Sequence, residues 1–326
     1  MRVLAGDIGA TKTLLALASV RGDVVEVVSE TRYESAAYPG LAPIVRDFLA
    51  GVHSVAGACF GVPGPVVDGA CRTPNLPWLI DAGELARDAG LAQVELVNDF
   101  AAAALGLLAL TPAALAVLQE GQPREHGTKA VLGAGTGFGQ AILFWDGTRY
   151  RVNAGEAGHG GFAAQGRLQH ELVAKLEERH LPVSVERVLS GPGLLRIYRF
   201  LAHAGVPTSS EVEAALAHAD AGPVIAEHAA RGVEACRQAL ALFLEAYGAE
   251  AGSAALRVLA HGGVYVAGGI ARKLLPFITT GGFMDAFRRK GRMSDLMRTF
   301  PVAVVLEPRV GLLGAALAAA RPPASG

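Results

Sequence analysis

One pattern occurs twice in this chain and restricts its fold more than any other feature. An apolar stretch, a glycine-rich turn that contains threonine and a second apolar stretch follow one another over Val3–Val20 and again over Ala130–Trp145. Such stretches, alternating with segments of helical spacing, are typical of an α/β sheet. Two copies of one strand–turn–strand unit predict a duplicated architecture, with two similar halves facing each other.

Length and charge narrow the class of protein further. The 326 residues are 51% hydrophobic, which is enough for about two domains with a core each. Lys+Arg (29) and Asp+Glu (30) nearly balance, which argues against nucleic acid or a membrane surface as the main partner. Three scattered cysteines and a start that runs directly into Gly6-Asp7 predict a cytoplasmic protein without a signal peptide.

Two long apolar segments require an interpretation. Phe100–Gln119 contains twenty residues without a charge, about the length of a membrane span. Pro112 interrupts this segment and much of it is alanine, so it predicts two buried helical pieces around a turn. Helical spacing also predicts one long helical stretch over Pro223–Tyr247.

The first glycine-rich loop follows the N-terminal strand and could bind phosphate. Glycines let backbone amides approach phosphate oxygens, while Thr11 and Lys12 add a hydroxyl and a cation. Asp7 suits a hydrated Mg²⁺, which takes one or two protein carboxylates together with phosphates. The spacing is not that of a P-loop, and a plain β-hairpin with a glycine turn is equally compatible with it. The candidate nucleotide-binding residues here are Gly6, Asp7, Gly9, Ala10, Thr11 and Lys12.

Two further loops repeat the glycine signal. Gly133, Gly135, Gly137 and Gly139 alternate between two strands, which weakens a sheet and indicates close approach of the backbone to a ligand. A strand follows this loop where a dinucleotide fingerprint would have a helix. A double glycine after the strand at Val266 could admit a flat nucleoside. The candidate residues of these two loops are Gly133, Gly135, Thr136, Gly137, Gly268 and Gly269.

An acid–amide pair stands where a strand gives way to a helix. The apolar run that begins at Val94 ends in Asn98-Asp99, and an alanine-rich helical segment follows at once. Ligands of α/β folds usually bind at this lip, where a carboxylate can accept the proton of a substrate hydroxyl and an amide offers a donor and an acceptor. Capping of the helix is the commoner role of these residue types, and the local sequence alone favours it.

Three more polar residues could recognise a ligand rich in hydroxyls. Glu156 and His159 are set three residues apart among glycines, and Glu186 precedes a Ser-Gly-Pro-Gly turn. A metal site at the first pair is an alternative, but no second His or Cys follows at ligand spacing. For Glu186 the alternatives are a surface salt bridge with Arg187 or a capping role.

The order of these motifs resembles that of the bacterial ATP-dependent glucokinase family, within the actin-like sugar kinase and Hsp70 superfamily. The resemblance covers nearly the whole chain and is carried by Gly6–Thr13, Leu96–Phe100, Gly133–Gly137, Gly155–His159, Glu186–Gly193, Ala267–Ile270 and Gly311–Gly314. It implies a two-domain α/β actin-like ATPase (ribonuclease H-like) fold with an interdomain cleft. The expected domains are 1–109 plus 301–321 and 110–300, followed by a disordered tail, 322–326.

The resemblance also implies a reaction, substrates and an assembly. The γ-phosphoryl group of ATP would pass to the 6-hydroxyl of glucose, with Asp99 as the general base and Mg²⁺ near Asp7. Asn98, Asp99, Glu156, His159 and Glu186 would bind the sugar, and the chain would form a homodimer, without nucleic acid or membrane partners. The alternatives are a kinase for another hexose or an amino sugar, or a water-using phosphatase or ATPase. A sugar-responsive repressor would need a DNA-binding module ahead of Gly6.

Two residues of the first loop depart from the family pattern. Ala10 stands where the family usually has glycine, and Lys12 where it usually has asparagine. Both occur in the related repressor-type sugar kinases, which carry a structural zinc site with clustered cysteines. This chain has no clustered cysteines. The sequence therefore resembles the zinc-free glucokinases more than the zinc-containing group.

Overall fold

The computed structural model describes residues 1–52, 54–74 and 76–321, which form two compact units. Unit 1 comprises Met1–Ala114, Val152–Ala154 and the chain from Glu307 onward, and unit 2 comprises the rest. The expected division, after residue 109 and again before residue 301, differs by a few residues from this one. The tail expected at 322–326 lies outside the described residues.

Both units contain helices and strands. The strands are β1 (Arg2–Ile8), β2 (Lys12–Arg21), β3 (Val24–Glu34), β4 (Ala58–Val62), β5 (Ala70–Arg72), β6 (Leu79–Asp81), β7 (Val94–Asn98), β8 (Leu115–Gln119), β9 (Lys129–Ala134), β10 (Phe138–Trp145), β11 (Tyr150–Gly155), β12 (Gly263–Val266) and β13 (Val302–Val305). The helices are α1 (Leu41–Phe48), α2 (Ala82–Ala89), α3 (Asp99–Gly106), α4 (Gly166–Glu177), α5 (Val185–Val188), α6 (Gly191–His203), α7 (Ser210–Leu216), α8 (Ala221–Ala230), α9 (Glu234–Val258), α10 (Gly269–Lys273), α11 (Leu275–Thr280), α12 (Phe283–Arg288), α13 (Ser294–Met297) and α14 (Val310–Ala319).

Unit 1 is built on a five-stranded mixed sheet of order β3-β2-β1-β4-β7. Strands β1 and β2 form an antiparallel hairpin whose last pair is Ile8 and Thr13, while β4 and β7 run parallel to β1. Strand β4 is fully buried, and such strands read as continuous apolar runs. The carboxyl ends of β1, β4 and β7 therefore meet at one edge of the sheet.

The last helix of the chain packs closely on α3 within unit 1. A Cβ atom at Gly314 would overlap the carbonyl oxygen of Ala102, and one at Gly106 would overlap that of Val310. Small residues at the contact let the two helix backbones approach, and both helices consist largely of buried alanine. The C-terminal helix therefore completes unit 1.

Unit 2 repeats the same succession of strands in a six-stranded sheet of order β11-β10-β9-β12-β13-β8. Strands β9 and β10 form the antiparallel hairpin, β12 is parallel to β9, and β13 is parallel to β12. The predicted repetition of one architecture is thus confirmed at the level of sheet topology.

The core of unit 2 surrounds α9, whose apolar residues point in all directions. A helix that is apolar on every side must be buried, and sixteen residues of α9, among them Phe243 and Tyr247, are buried. Within the described residues, no helix has both the length and the apolar character that a bilayer crossing requires.

Two predictions of secondary structure are wrong. The second half of the uncharged segment is not a helix but strand β8, which pairs antiparallel with β13 at the sheet edge. Leucine and alanine favour a helix locally, but tertiary pairing overrides that propensity. The stretch from Pro223 to Tyr247 is not one helix, because the chain turns at Gly232 (φ +89°) between α8 and α9.

Candidate active site

Two of the predicted site residues lie at the carboxyl edge of the unit 1 sheet, at adjacent positions of its register. Asp7 on β1 pairs with Gly61 on β4, which in turn pairs with Val97 on β7. Asn98 is the next residue of β7 and ends that strand. The sequence pattern and the register therefore agree in placing these polar groups together at the lip of the sheet.

Asp7 is a half-buried carboxyl at the end of β1. A Cβ atom at Gly311 would lie 3.6 Å from its Oδ2 atom, so the first turn of α14 passes close to the carboxyl group. Desolvation raises the pKa of Asp7, and no ion pair with this residue occurs within the described part of the chain. A carboxylate that is not paired with a Lys or Arg side chain is suited to bind a metal ion that arrives with phosphate groups.

The first glycine loop is a tight hairpin that Ser35 holds in place. The Gly9 N–H donates to the Lys12 carbonyl oxygen over 2.9 Å, the Ser35 hydroxyl donates to the Gly9 carbonyl over 2.8 Å, and the Ser35 N–H donates to the Thr11 carbonyl over 3.1 Å. The side chains of Thr11 and Lys12 are exposed, and Ala10 is half-buried at the turn. Sequence reasoning missed Ser35, because it lies outside every glycine motif.

Gly6 serves packing within unit 1. It lies inside β1 rather than in the turn, and a Cβ atom there would overlap the ring of Phe60. This packing alone accounts for a glycine at position 6.

Asn98 is the N-cap of α3, as the local sequence alone favours. Its Oδ1 atom accepts the N–H groups of Phe100 (2.9 Å) and Ala101 (3.2 Å), and its Nδ2 atom donates to the Gly64 carbonyl over 3.1 Å. An amide carries two N–H groups, so one donor of Asn98 is left for a ligand.

Asp99 is the first residue of α3 and points at the start of that helix. Its Oδ1 atom accepts the Phe100 N–H over 2.8 Å, and its side chain is half-buried. Asn98 already caps the helix, so capping alone does not account for a carboxylate at position 99. The helix start orients this carboxylate at the carboxyl edge of the sheet, where it can act on a bound hydroxyl.

In unit 2, Glu156 and His159 face each other across one turn of 3₁₀ helix. The His159 Nε2 atom lies 3.8 Å from the Glu156 Oε2 atom, and both side chains are exposed. Between them, Gly158 is required because a Cβ atom there would overlap the Phe138 carbonyl oxygen. No group of three possible metal-ligating side chains exists in the part of the chain that the structure describes.

Glu186 reaches the second glycine loop. Its Oε2 atom accepts the Phe138 N–H over 3.0 Å, and Gly137 packs directly against its carboxylate. The salt bridge with Arg187 considered from the sequence is absent among the described residues. The carboxylate therefore has a defined position beside the loop.

The second and third glycine loops are joined through Ala134. The Ala134 N–H donates to the buried Tyr247 hydroxyl over 3.0 Å. Gly268, with φ +90°, lies so that a Cβ atom would be 2.9 Å from the Ala134 carbonyl oxygen, which only glycine permits. Gly133 is buried in β9 and pairs with Gly139. Tyr247 could not be found from the sequence, because it lies far along the chain in a helix of uniform apolar pattern.

A cavity of about 480 Å³ opens beside these two loops in unit 2, within the size range of small-molecule sites. Gly135, Thr136 and Gly269 line it, so the structure brings together residues predicted from two separate motifs. Helices α6 and α8 begin at its wall, and helix N-termini favour phosphate groups. Asp220 and Lys273 add polar side chains that no motif indicated.

The predicted residues thus divide between the units. Unit 1 holds the first loop, Asn98 and Asp99, and unit 2 holds the remaining candidates. Within unit 2, the cavity collects the second and third loops. Glu186 contacts Phe138 at the end of the second loop, and so does Gly158, which lies between Glu156 and His159.

Solved structures identify the class of protein. The structure superposes on a glucokinase from an Antarctic psychrotroph with a TM-score of 0.84, at 31% identity over 98% of both chains. A glucokinase of the ROK family from Streptomyces griseus, solved in complex with glucose and AMPPNP, gives a TM-score of 0.65 at 21% identity over 98% of this chain and 99% of that one. The chain therefore has the α/β actin-like sugar kinase fold, as the sequence predicts.

Sequence relatives identify the family. The family model described as glucokinase matches residues 4–322. Glucokinases of Synechocystis sp. and Nostoc sp. are 42% and 40% identical to this chain, with 98% of the chain and 98% or more of each relative covered. The chain belongs to the glucokinase family.

Proposed function

We propose that this chain transfers the γ-phosphoryl group of ATP to the 6-hydroxyl of glucose, with Asp99 as the general base. The observation that carries the proposal is the position of Asp99 in a chain of the glucokinase family. Its carboxylate stands at the start of α3, at the carboxyl edge of a parallel strand pair, and Asn98 performs the capping role beside it.

Proton transfer is the step assigned to Asp99. A carboxylate oriented by a backbone N–H can accept the proton of the 6-hydroxyl as its oxygen attacks phosphorus, and it aligns that oxygen with the breaking bond. A positioned base of this kind contributes about 10²–10⁴-fold to the rate.

The remaining polar groups serve recognition of the sugar. The Asn98 amide has a second N–H group besides the one that donates to Gly64, and Glu186 has its Oε1 atom available. The side chains of Glu156 and His159 are exposed. Polar partners of this kind, once a bound sugar covers them, reject a sugar that lacks one hydroxyl, because a polar group would then stay unpaired.

The nucleotide is assigned to the glycine loops. The cavity lined by Gly135 and Gly269 has room for the adenosine portion of ATP, and the starts of α6 and α8 favour its phosphates. Asp7 is assigned to Mg²⁺, a cation that takes protein carboxylates together with phosphates. When bound, Mg²⁺ neutralises charge that develops on the transferred phosphoryl oxygens.

The location and assembly of the protein stay predictions. The cytoplasmic location rests on the scattered cysteines, and the homodimer rests on the family resemblance. Size-exclusion chromatography with light scattering tests the dimer directly.

An amide substitution at position 99 tests the proposal. Asp99→Asn keeps the size of the side chain but removes its basicity, so we expect turnover with Mg·ATP and glucose to fall by about 10²–10⁴-fold. Glucose affinity, measured by isothermal titration calorimetry, should change little. Asp88→Asn, the same change at an exposed residue of α2 in the same unit, should keep full turnover. Wild-type turnover in Asp99→Asn would refute the base assignment.

A further inference from the structure

The backbone of Phe138 lies between the residues assigned to the sugar and the second glycine loop of unit 2, which is assigned to the nucleotide and is called the phosphate loop below. Its N–H donates to Glu186 Oε2 over 3.0 Å. On the other side, its carbonyl oxygen occupies the space that a Cβ atom of Gly158 would need, between Glu156 and His159. Phe138 follows Gly137 directly, so residues assigned to the sugar touch the residue at which the phosphate loop ends.

Gly137 leaves room for the Glu186 carboxylate. A Cβ atom at this position would overlap Glu186 Oε2 and would lie 3.2 Å from its Cδ atom. The backbone at Gly137 does not have a positive φ, so its conformation would accept any residue. By contrast, a Cβ atom at Gly135 in the same loop meets no atom within 4 Å. A methyl group at 137 would therefore displace the Glu186 carboxylate.

The backbone on either side of the carboxylate is fixed as well. The Ser190 hydroxyl donates to the Glu186 carbonyl over 2.7 Å, and the Gly191 N–H donates to the Gly135 carbonyl over 2.8 Å. The Gly135 N–H closes the loop onto the Gly137 carbonyl over 2.8 Å. Glu186 therefore cannot shift as a whole to make room, and any displacement must occur in its side chain.

We propose that Glu186 holds the sugar with Oε1 and the phosphate loop with Oε2, so that Gly137 is a positioning residue of the sugar site. This inference rests on the proposed function, in which Glu186 binds glucose. Among the described residues, Oε1 has no hydrogen-bond partner, which leaves it available to a sugar hydroxyl. Occupancy of the sugar site and the shape of the phosphate loop are then coupled through one carboxylate.

The decisive test measures glucose binding without any nucleotide. Gly137→Ala pushes the carboxylate off Phe138, so we expect the glucose Kd from isothermal titration calorimetry to rise by about tenfold or more, the effect of losing a hydrogen bond to a charged group. Gly135→Ala is the matched control, with the same added methyl group in the same loop but no clash, and its glucose Kd should stay within about twofold of wild type. Equal glucose affinity in Gly137→Ala and wild type would overturn the proposal.

A second pair of variants tests the other half of the coupling. Glu186→Ala frees the Phe138 N–H, so we expect the Kd for AMPPNP, measured without sugar, to rise by several-fold, on the order of one lost hydrogen bond. His159→Ala removes a sugar-site side chain that makes no hydrogen bond to the loop, and should leave the AMPPNP Kd unchanged. Unchanged AMPPNP affinity in Glu186→Ala would overturn the coupling. Failure of the wild-type protein to bind glucose would instead refute the proposed function.

Discussion

The hydroxyl group of Tyr247 is a buried hydrogen-bond partner of the strand that leads into the second glycine loop. Tyr247 is fully buried, and its Oη atom accepts the N–H of Ala134, the residue before Gly135. The rings of Phe138, Phe243 and Phe283 surround it edge-on at 5.6–6.1 Å between centroids. This apolar environment raises the pKa of Tyr247.

Tyr247→Phe removes one oxygen atom and leaves a buried donor unpaired. An unsatisfied buried donor costs about 1–3 kcal/mol. For a unit of this size each kcal/mol shifts the melting temperature by about 2–4 °C, so we expect a loss of about 2–12 °C. The net value of one such bond, about 0.5–1.5 kcal/mol, allows the KM for ATP to rise by at most about tenfold. The KM for glucose should stay the same.

Differential scanning fluorimetry and steady-state kinetics measure the two effects. Tyr198→Phe is the matched control, because Tyr198 is also fully buried in unit 2 but bonds Thr208 and Glu213, whose exposed side chains can turn to water. We expect Tyr198→Phe to lose less stability and to keep the wild-type KM for ATP. Wild-type stability and kinetics in Tyr247→Phe would show that this hydrogen bond has no role.

Two further predictions concern unit 1. Burial raises the pKa of Asp7 in the folded state. Ionisation of this group therefore lowers the free energy of unfolding at pH values above its ordinary pKa, by up to about 1.4 kcal/mol for each unit by which the pKa is raised. Asp7→Asn should therefore raise the melting temperature near pH 7.5 without nucleotide, gain nothing near pH 3, and lose turnover with Mg·ATP. Gly314→Ala should destabilise the protein by about 1–3 kcal/mol through overlap with Ala102, as measured by chemical denaturation.

Both predictions have controls. Asp88→Asn, at an exposed position, should give the same melting temperature as wild type at both pH values. A gain for Asp7→Asn at pH 3 as large as at pH 7.5 would contradict the burial argument. Gly222→Ala, in a helix where the added methyl group meets nothing within 4 Å, should be neutral or slightly stabilising in denaturation. A Gly314→Ala variant as stable as Gly222→Ala would show that α3 and α14 can separate without cost.

The repeated hairpin was predictable because glycine spacing and apolar alternation are local signals. Val3–Val20 and Ala130–Trp145 both form the expected hairpins at the expected places. The end of β7 was equally predictable, because an apolar β-rich run that is followed by Asn98 and a series of alanines indicates a change from strand to helix. In such segments the local preference and the tertiary environment agree.

Strand β8 was not predictable from its own residues. Leu115–Gln119 has the composition of a helix, and only pairing with β13 makes it a strand. The break between α8 and α9 does have a local signal at Gly232, which the overall helical spacing obscured. The partner that makes β8 a strand lies far along the chain, in Val302–Val305.

The candidate site was predictable in its motifs but not in its internal contacts. Glycine loops and polar residues at the ends of strands predict which residues face a ligand, whereas Tyr247 and Ser35 hold backbone that is distant from them in sequence. The contact between Gly137 and Glu186 is likewise visible only in three dimensions, because Glu186 approaches from a separate element.

The most direct test of the proposed function is turnover of Mg·ATP by the wild-type protein with a panel of hexoses and with no sugar. We expect ADP release that depends on glucose, well above its epimers, together with a product phosphorylated at the 6-hydroxyl. ADP release without any sugar would contradict the proposed function and indicate a water-using ATPase or phosphatase. Turnover only with another hexose would keep Asp99 as the base but contradict glucose as the substrate.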